Sequence, residues 1–226
     1  MNRDLYVGAA RGLLQFPVFM GLLLFLPAGT LHYWQAWMFI AVFLACAFII
    51  TAYLAINDPK LLERRMNVGP AREKEKTQKI IMVLASVAFA STVLLPAIDH
   101  RYGWSNVPTS IALLGNALIA AGFLAVLRVF RENTYGASTI QVAEGQTVIS
   151  TGPYAMVRHP MYSASLILMA GIPIALGSWW GLLVLIPGTA VLIWRLIDEE
   201  RFLKRNLPGY AQYTEKVRHR LVPFVW

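Results

Sequence analysis

The sequence is poor in cysteine, in charge and in acidic residues. Its 226 residues include one cysteine, Cys46, so no intrachain disulfide and no cysteine-based metal site can form. Cys46 lies in an apolar run and reads as packing. Charged residues make up 14% of the chain, against about 25% in soluble domains. Hydrophobic residues reach 57%, and the mean hydropathy is +0.54. A soluble domain of this size cannot hide so much apolar surface. A disordered chain, a collagen and an ordinary soluble enzyme are thereby excluded. No Gly-x-Gly-x-x-Gly run occurs, which argues against a Rossmann-type cofactor site. His32, His100 and His219 show no metal-ligand spacing. Acidic residues number 12 against 20 Lys and Arg, giving a pI near 9.8. In a soluble protein that excess would suggest nucleic acid. Here it sits in loops flanking apolar segments, as the positive-inside rule expects.

What the chain does have is long hydrophobic runs. A membrane helix needs ~20 mostly apolar residues. Residues 7–26, 33–56, 79–98 and 107–130 supply four, and 161–176 and 179–196 add two more joined by Gly177-Ser178. So short a joint predicts a tight helical hairpin over 161–197. Its first arm is short and carries Gly171 and Pro173, so it is expected to be tilted, kinked or only partly spanning. Arg11 and Gln15 interrupt the first run, and no small-residue cleavage site follows, so a retained helix is expected rather than a signal peptide. Gly8 with Gly12, and Gly177 with Gly181, match small-xxx-small spacing; ordinary helix packing accounts for it.

Lys60, Arg64, Arg65, Arg72, Lys74, Lys76 and Lys79 fall in residues 57–79, and Arg128, Arg131 and Arg158 in 128–158. Arg201, Lys204, Arg205, Lys216, Arg218 and Arg220 fall in the tail, whereas the opposite connections hold only Arg101. The expected fold is therefore all-α: a polytopic membrane protein of about six helices with both termini cytoplasmic. Its compact length suggests a prokaryotic inner membrane. Trp34, Trp37, Trp104, Trp179 and Trp180 fall near segment ends, where an aromatic belt belongs. Residues 1–130 hold the four N-terminal spans, and 131–226 hold the chemistry.

Residues 131–160 form a long polar stretch with Tyr, Val and Ile among Gly, Thr and Ser, and are expected to be ordered and functional. Thr151-Gly152-Pro153-Tyr154 is a turn signal, and His159-Pro160 opens a helix. Arg158 and His159 thus mark a helix N-terminus, whose free backbone N–H groups would welcome an anion. Arg195 and Glu199, four apart, share a helical face; with Glu200 they lie at the cytoplasmic end of the last span. The hairpin is expected to return Glu199 beside His159, around one cytoplasm-facing cavity. The tail breaks at Pro208-Gly209 and runs on as a surface segment, with Phe224 and Trp226 as interface anchors. Taken singly, Arg158, Arg201 and Arg205 read as snorkelling residues.

Gly152-Pro153-Tyr154, Arg158-His159-Pro160-Met161-Tyr162, Arg195 with Glu199-Glu200 and Leu203, then Tyr210 and Tyr213, together resemble the isoprenylcysteine carboxyl methyltransferase family. Membrane phospholipid methyltransferases share much of the pattern. The resemblance covers roughly residues 130–226. Upstream, Tyr33-Trp34-Gln35-Ala36-Trp37 and Asp58-Pro59-Lys60-Leu61-Leu62 resemble bacterial members more weakly. The resemblance implies a membrane-embedded methyltransferase using S-adenosyl-L-methionine, with a lipophilic acceptor entering from the bilayer. It implies that Gln146, Thr147, Val148, Ile149 and Tyr154 wrap the cofactor, that His159, Pro160, Met161 and Tyr162 line its pocket, that Glu199 binds it, and that Arg195 faces the acceptor carboxyl group. Arg158 and Glu200 are grouped with the cofactor residues.

A carboxylate acceptor is already ionised near neutral pH and needs no base, and Arg195 could orient it through a bidentate pair. An amine must lose a proton, and no base is evident. The alternatives are a phospholipid amine N-methyltransferase, an NADPH-dependent sterol-type reductase with a similar Arg-His-Pro-x-Tyr element, and a non-catalytic lipid-binding or transport protein. No inverted repeat supports transport.

Overall fold

The computed structural model describes residues 3–66, 68–73 and 75–226; Lys74 of the basic loop lies outside the described residues. Eight helices and no strand are found among the described residues: α1 (Arg3–Ala28), α2 (Trp34–Asn57), α3 (Pro59–Met66), α4 (Lys76–Tyr102), α5 (Thr109–Glu132), α6 (Pro160–Ala175), α7 (Leu185–Asn206) and α8 (Tyr210–Lys216). Their ends follow local chemistry. Asp58 stops α2, and its Oδ1 accepts the Leu61 N–H at 3.0 Å, capping α3, which starts on Pro59. Gly103, at φ 63, closes α4 in the left-handed conformation.

Five helices are long and apolar enough to cross a membrane: α1, α2, α4, α5, and α7 with the 3-10 turn that leads into it, Trp180–Asn206. The chain is a multi-pass membrane protein. Leu14, Ile56, Leu124 and Ile186 are mostly exposed, as lipid-facing residues should be. The sixth apolar helix, α6, has 16 residues. It rises about 24 Å, short of the ~30 Å hydrocarbon core. Pro160 fixes its start, and Gly177, at φ 76, ends the turn that follows it.

The helices α5 and α6 form the closest pair, and their seam is built of glycine. A Cβ on Gly115 would lie 2.2 Å from the Ala175 backbone nitrogen, and one on Gly122 2.7 Å from Leu168. Gly171 approaches the Gly115 carbonyl from the other side. Small residues permit such backbone contact in membranes. The spacing of these glycines along either helix alone does not predict the seam. The Gly8/Gly12 spacing is not one: a Cβ on Gly12 meets nothing within 4 Å.

Two apolar clusters mark the ends of the bundle. Met20, Leu24, Tyr33, Phe39, Ala97, Ile172 and Leu176 pack at one end. Leu5, Leu54, Leu61, Leu62 and Phe130 pack at the other, beside Met161 and the polar loops. Trp34, Trp37, Trp104, Trp179 and Trp180 are all exposed at the first end, away from the polar loops.

That first end carries a buried polar staple. Asp99 accepts the Ser105 N–H at 2.8 Å, the Ser105 hydroxyl at 2.6 Å and the Ser178 hydroxyl at 2.5 Å, tying α4 to the turn after α6. The Tyr33 hydroxyl donates to the Leu176 carbonyl at 2.6 Å. Each buried donor left unpaired costs about 1–3 kcal/mol. Asp99→Ala is therefore expected to lower the melting temperature in detergent clearly, with Asp99→Asn recovering part. An unchanged Asp99→Ala melt would show that the staple adds no stability.

Candidate active site

At the end opposite Trp34, Trp37, Trp104, Trp179 and Trp180 lies a cavity of about 490 Å³, within the range of small-molecule sites. It is lined by Gln146, Thr147, Val148, Ile149, Tyr154, Arg158, His159, Pro160, Met161, Tyr162, Arg195 and Glu199, together with Tyr210 and Tyr213. Among the residues grouped from sequence, only Glu200 is absent from that lining.

The loop 131–160 is ordered by contacts from the N-terminal half. Arg64 Nη1 donates to the Thr134 carbonyl at 2.7 Å, Arg65 Nη1 to the Ala137 carbonyl at 3.1 Å, and the Ser138 hydroxyl to the Arg65 carbonyl at 2.9 Å. Glu73 accepts the Ile140 N–H at 3.3 Å. Thr151 donates to Glu132, and Asn133 donates to the Tyr154 hydroxyl at 2.8 Å. Burial pushes the Tyr154 phenol up to about 12, so it stays neutral at physiological pH. Burial also raises the Tyr210 and Tyr213 phenols.

Arg195 is the hub between the halves. Its Nη2 donates to Glu73 at 3.0 Å and to the Ser138 carbonyl at 2.9 Å, its Nη1 to Gln78 at 3.3 Å, and its Nε to the Tyr162 hydroxyl at 3.2 Å. Tyr162 in turn donates to Glu199 at 2.5 Å. Gln78 also donates to Asp198.

Two expectations about the helix α6 start are corrected. It is Glu200, not Glu199, that sits beside His159: its Oε1 is 2.6 Å from Arg158 Nε and 3.3 Å from His159 Nε2, and its Oε2 is 3.1 Å from Arg220 Nε. Successive residues on a helix point about 100° apart, so Glu199 faces the cavity while Glu200 faces the tail. The backbone N–H groups of Arg158 and His159 are not free for an anion either. They donate to the His219 and Arg220 carbonyls at 2.9 and 3.0 Å. Nor is Arg158 a snorkelling residue: it is buried in an ion pair and also donates to the Val217 and Arg218 carbonyls at 3.1 and 3.2 Å. The tail is accordingly more than a surface segment: Leu221 is buried, and Ser163 donates to its carbonyl at 2.6 Å. Phe224 and Trp226 are both exposed, and the Trp226 ring lies under Arg220, 4.9 Å from guanidinium carbon to ring centre.

The residues that sequence reasoning missed come mostly from outside the motif region. Glu73 and Gln78 hold Arg195; Arg65, Asn133, Tyr135 and Ser138 line the cavity, and Phe43, Phe123, Val126 and Leu168 form an apolar wall. Nothing in the basic loop distinguished Arg65 from its neighbours, because its role depends on where α3 docks. Among the described residues, no group of three or more His, Cys, Asp or Glu could hold a metal ion.

Comparison with known proteins narrows the chemistry. Residues 110–208 match the family model of phospholipid methyltransferases. The match supports a membrane methyltransferase. It runs from α5 through α7, under half of the chain, and takes in the polar loop, Arg195 and Glu199. Two curated relatives share part of the sequence. The Delta(14)-sterol reductase TM7SF2 of Mus musculus is 30% identical over 94 residues, 40% of this chain and 22% of that protein. The nickel-cobalt-cadmium resistance protein NccN of Alcaligenes xylosoxydans xylosoxydans is 27% identical over 127 residues, 56% of this chain and 57% of that protein. The chain spans less than two thirds of either relative.

Proposed function

We propose that the protein is an S-adenosyl-L-methionine-dependent methyltransferase acting on a lipophilic acceptor, as its resemblance to the isoprenylcysteine carboxyl methyltransferases implies. The observation that carries the reading is one cavity with two walls. Tyr154, His159, Glu199, Tyr210 and Tyr213 form a polar, aromatic wall, and Phe43, Phe123, Val126 and Leu168 an apolar one reaching α2, α5 and α6.

The donor set fits the cofactor. The Tyr210 hydroxyl is buried and has no hydrogen-bond partner among the described residues; a polar ligand in this cavity could supply one. Tyrosine faces stabilise a desolvated cation by ~0.5–2 kcal/mol, and Glu199 can accept hydrogen bonds from hydroxyl or ammonium groups. When bound, the cofactor supplies a methyl group on a sulfonium, taken in one displacement. The protein's task is then alignment and exclusion of water, and the Arg195–Tyr162–Glu199 chain fixes the acid wall for that purpose. A carboxylate acceptor suits the absence of an evident base. The positive-inside pattern supports a cytoplasmic position for this end and for both termini.

Calorimetry with S-adenosylhomocysteine tests the reading. Saturable binding is expected for the purified protein and its loss for Glu199→Ala and His159→Ala, each still folded by gel filtration. Unchanged binding in Glu199→Ala would sink the assignment. The family match keeps a phospholipid amine as a second acceptor. Labelled methyl groups released as methanol by base mark an ester; base-stable label marks an N-methyl product. The reductase relative motivates one further arm: NADPH rather than S-adenosylhomocysteine raising the melting temperature would mean a reductase.

A further inference from the structure

Two guanidinium groups, Arg65 and Arg195, line the cavity away from the tail. Arg195 is committed. Four of its N–H groups already have protein acceptors, and Glu73 neutralises it. Arg65 differs. Its Nη1 donates to the Ala137 carbonyl, and its guanidinium lies 5.1 Å from the centre of the Phe130 ring. Among the described residues no carboxylate forms an ion pair with it. Glu199, the single carboxylate in the cavity lining among the described residues, lies beyond ion-pair distance yet close enough for its field to be felt.

The position of Arg65 is fixed rather than incidental. Leu61 and Leu62, one turn earlier on α3, are buried against Leu54 and Phe130, and the Arg65 carbonyl is held by Ser138. Loss of water lowers the guanidinium pKa from its ordinary value, and the Arg195 charge adds to that; the group remains a cation at neutral pH. A half-buried cation without a counter-ion is costly. It is tolerated at a membrane edge where a ligand supplies the anion. The apolar wall of Phe43, Phe123, Val126 and Leu168 belongs to the same cavity.

We propose that Arg65 is the residue that selects the acceptor, gripping the anionic group of an amphiphile whose apolar chain lies along that wall. The proposal rests on the methyl-transfer reading only for calling that amphiphile the acceptor. Arg65 lies outside residues 110–208, so the family match does not assign it. The shared chemistry is an oxyanion, carboxylate or phosphate, that a guanidinium fork can bind through two parallel N–H···O bonds.

The test uses the full chain in neutral detergent and three probes with one C16 chain: palmitate, hexadecyl phosphate and hexadecanol. Competition against radiolabelled palmitate measures each. The wild type is expected to prefer at least one anionic probe over hexadecanol by about tenfold to a hundredfold, the value of a charge-assisted contact. Arg65→Gln is expected to erase that preference with hexadecanol affinity little changed. Preference for palmitate identifies a carboxylate acceptor, and preference for hexadecyl phosphate a phosphate. Equal binding of all three probes, or an undiminished preference in Arg65→Gln, overturns the proposal. Should Arg65→Gln not fold, Arg65→Lys, which keeps the charge but not the fork, is expected to weaken the preference several-fold; an unweakened preference again overturns it. S-adenosylhomocysteine binding to the wild type is measured beside it. Anion selectivity through Arg65 without such binding overturns the methyl-transfer reading and leaves Arg65 as an anion site; the reverse result overturns Arg65 alone.

Discussion

Glu200→Ala is expected to cost about 3–5 kcal/mol, the penalty of leaving a buried charge without its partner, and to release the chain beyond α8. Glu200 and Arg158 are both nearly inaccessible, with side chains 6% exposed and 2.6 Å apart. Removing the carboxylate strands the Arg158 guanidinium in a space lined by carbonyls. Those carbonyls, from Val217 and Arg218, belong to the tail, whose His219 and Arg220 carbonyls also take the Arg158 and His159 N–H groups. Arg220 contributes less, since its side chain is one third exposed and solvent screens the pair. Trypsin should therefore cut at Arg218 and Arg220 much faster in Glu200→Ala, and the melting temperature should fall. Glu200→Gln, which keeps an acceptor oxygen, should recover part of the loss. Glu199→Ala should show neither effect, although one residue away. A Glu200→Ala protein with a protected tail and an unchanged melt would show that the cluster holds nothing.

Gly115→Ala is the second large effect. The added methyl would sit 2.2 Å from the Ala175 nitrogen and 2.7 Å from the Ala175 Cα. Both are backbone atoms, so no side-chain rotation relieves the overlap, and α6 must move bodily. Overpacking a core costs about 1–3 kcal/mol where neighbours can adjust; here the loss should reach or exceed the upper end. Because α6 also carries His159, Met161 and Tyr162 at its start, S-adenosylhomocysteine binding should weaken with stability. Gly12→Ala provides the contrast. Nothing lies within 4 Å of its Cβ, and alanine is favoured over glycine in a helix by up to about 1 kcal/mol. Equal melting temperatures for the two variants would refute the glycine seam.

The difference between those two glycines shows what a sequence can and cannot disclose. Hydropathy placed the long helices, because each apolar run must be satisfied within itself in a membrane. The basic loops were equally legible from charge, and the motif residues from their order and spacing. Gly8-x-x-x-Gly12 looked like a packing face, but spacing is a property of one helix, whereas a seam is a property of two. The same reason hid Glu73, Gln78 and Arg65: their work is done 67 to 122 residues away, on Arg195 and the loop around Ser138. Adjacency in sequence pairs Glu199 with Glu200, and helical rotation separates them. The shortness of α6 is legible in its apolar run, which covers only residues 161–176.

The staple at Asp99 has a mechanical meaning. At that end α4 and the turn after α6 are riveted by hydroxyls on one carboxylate, and Tyr33 pins α2 to the same turn. At the other end the walls of the cavity are joined by side chains reaching across loops, with Arg64, Arg65 and Glu73 bridging to residues 134–140. The bundle is thus pinned helix to turn at one end and helix to loop at the other.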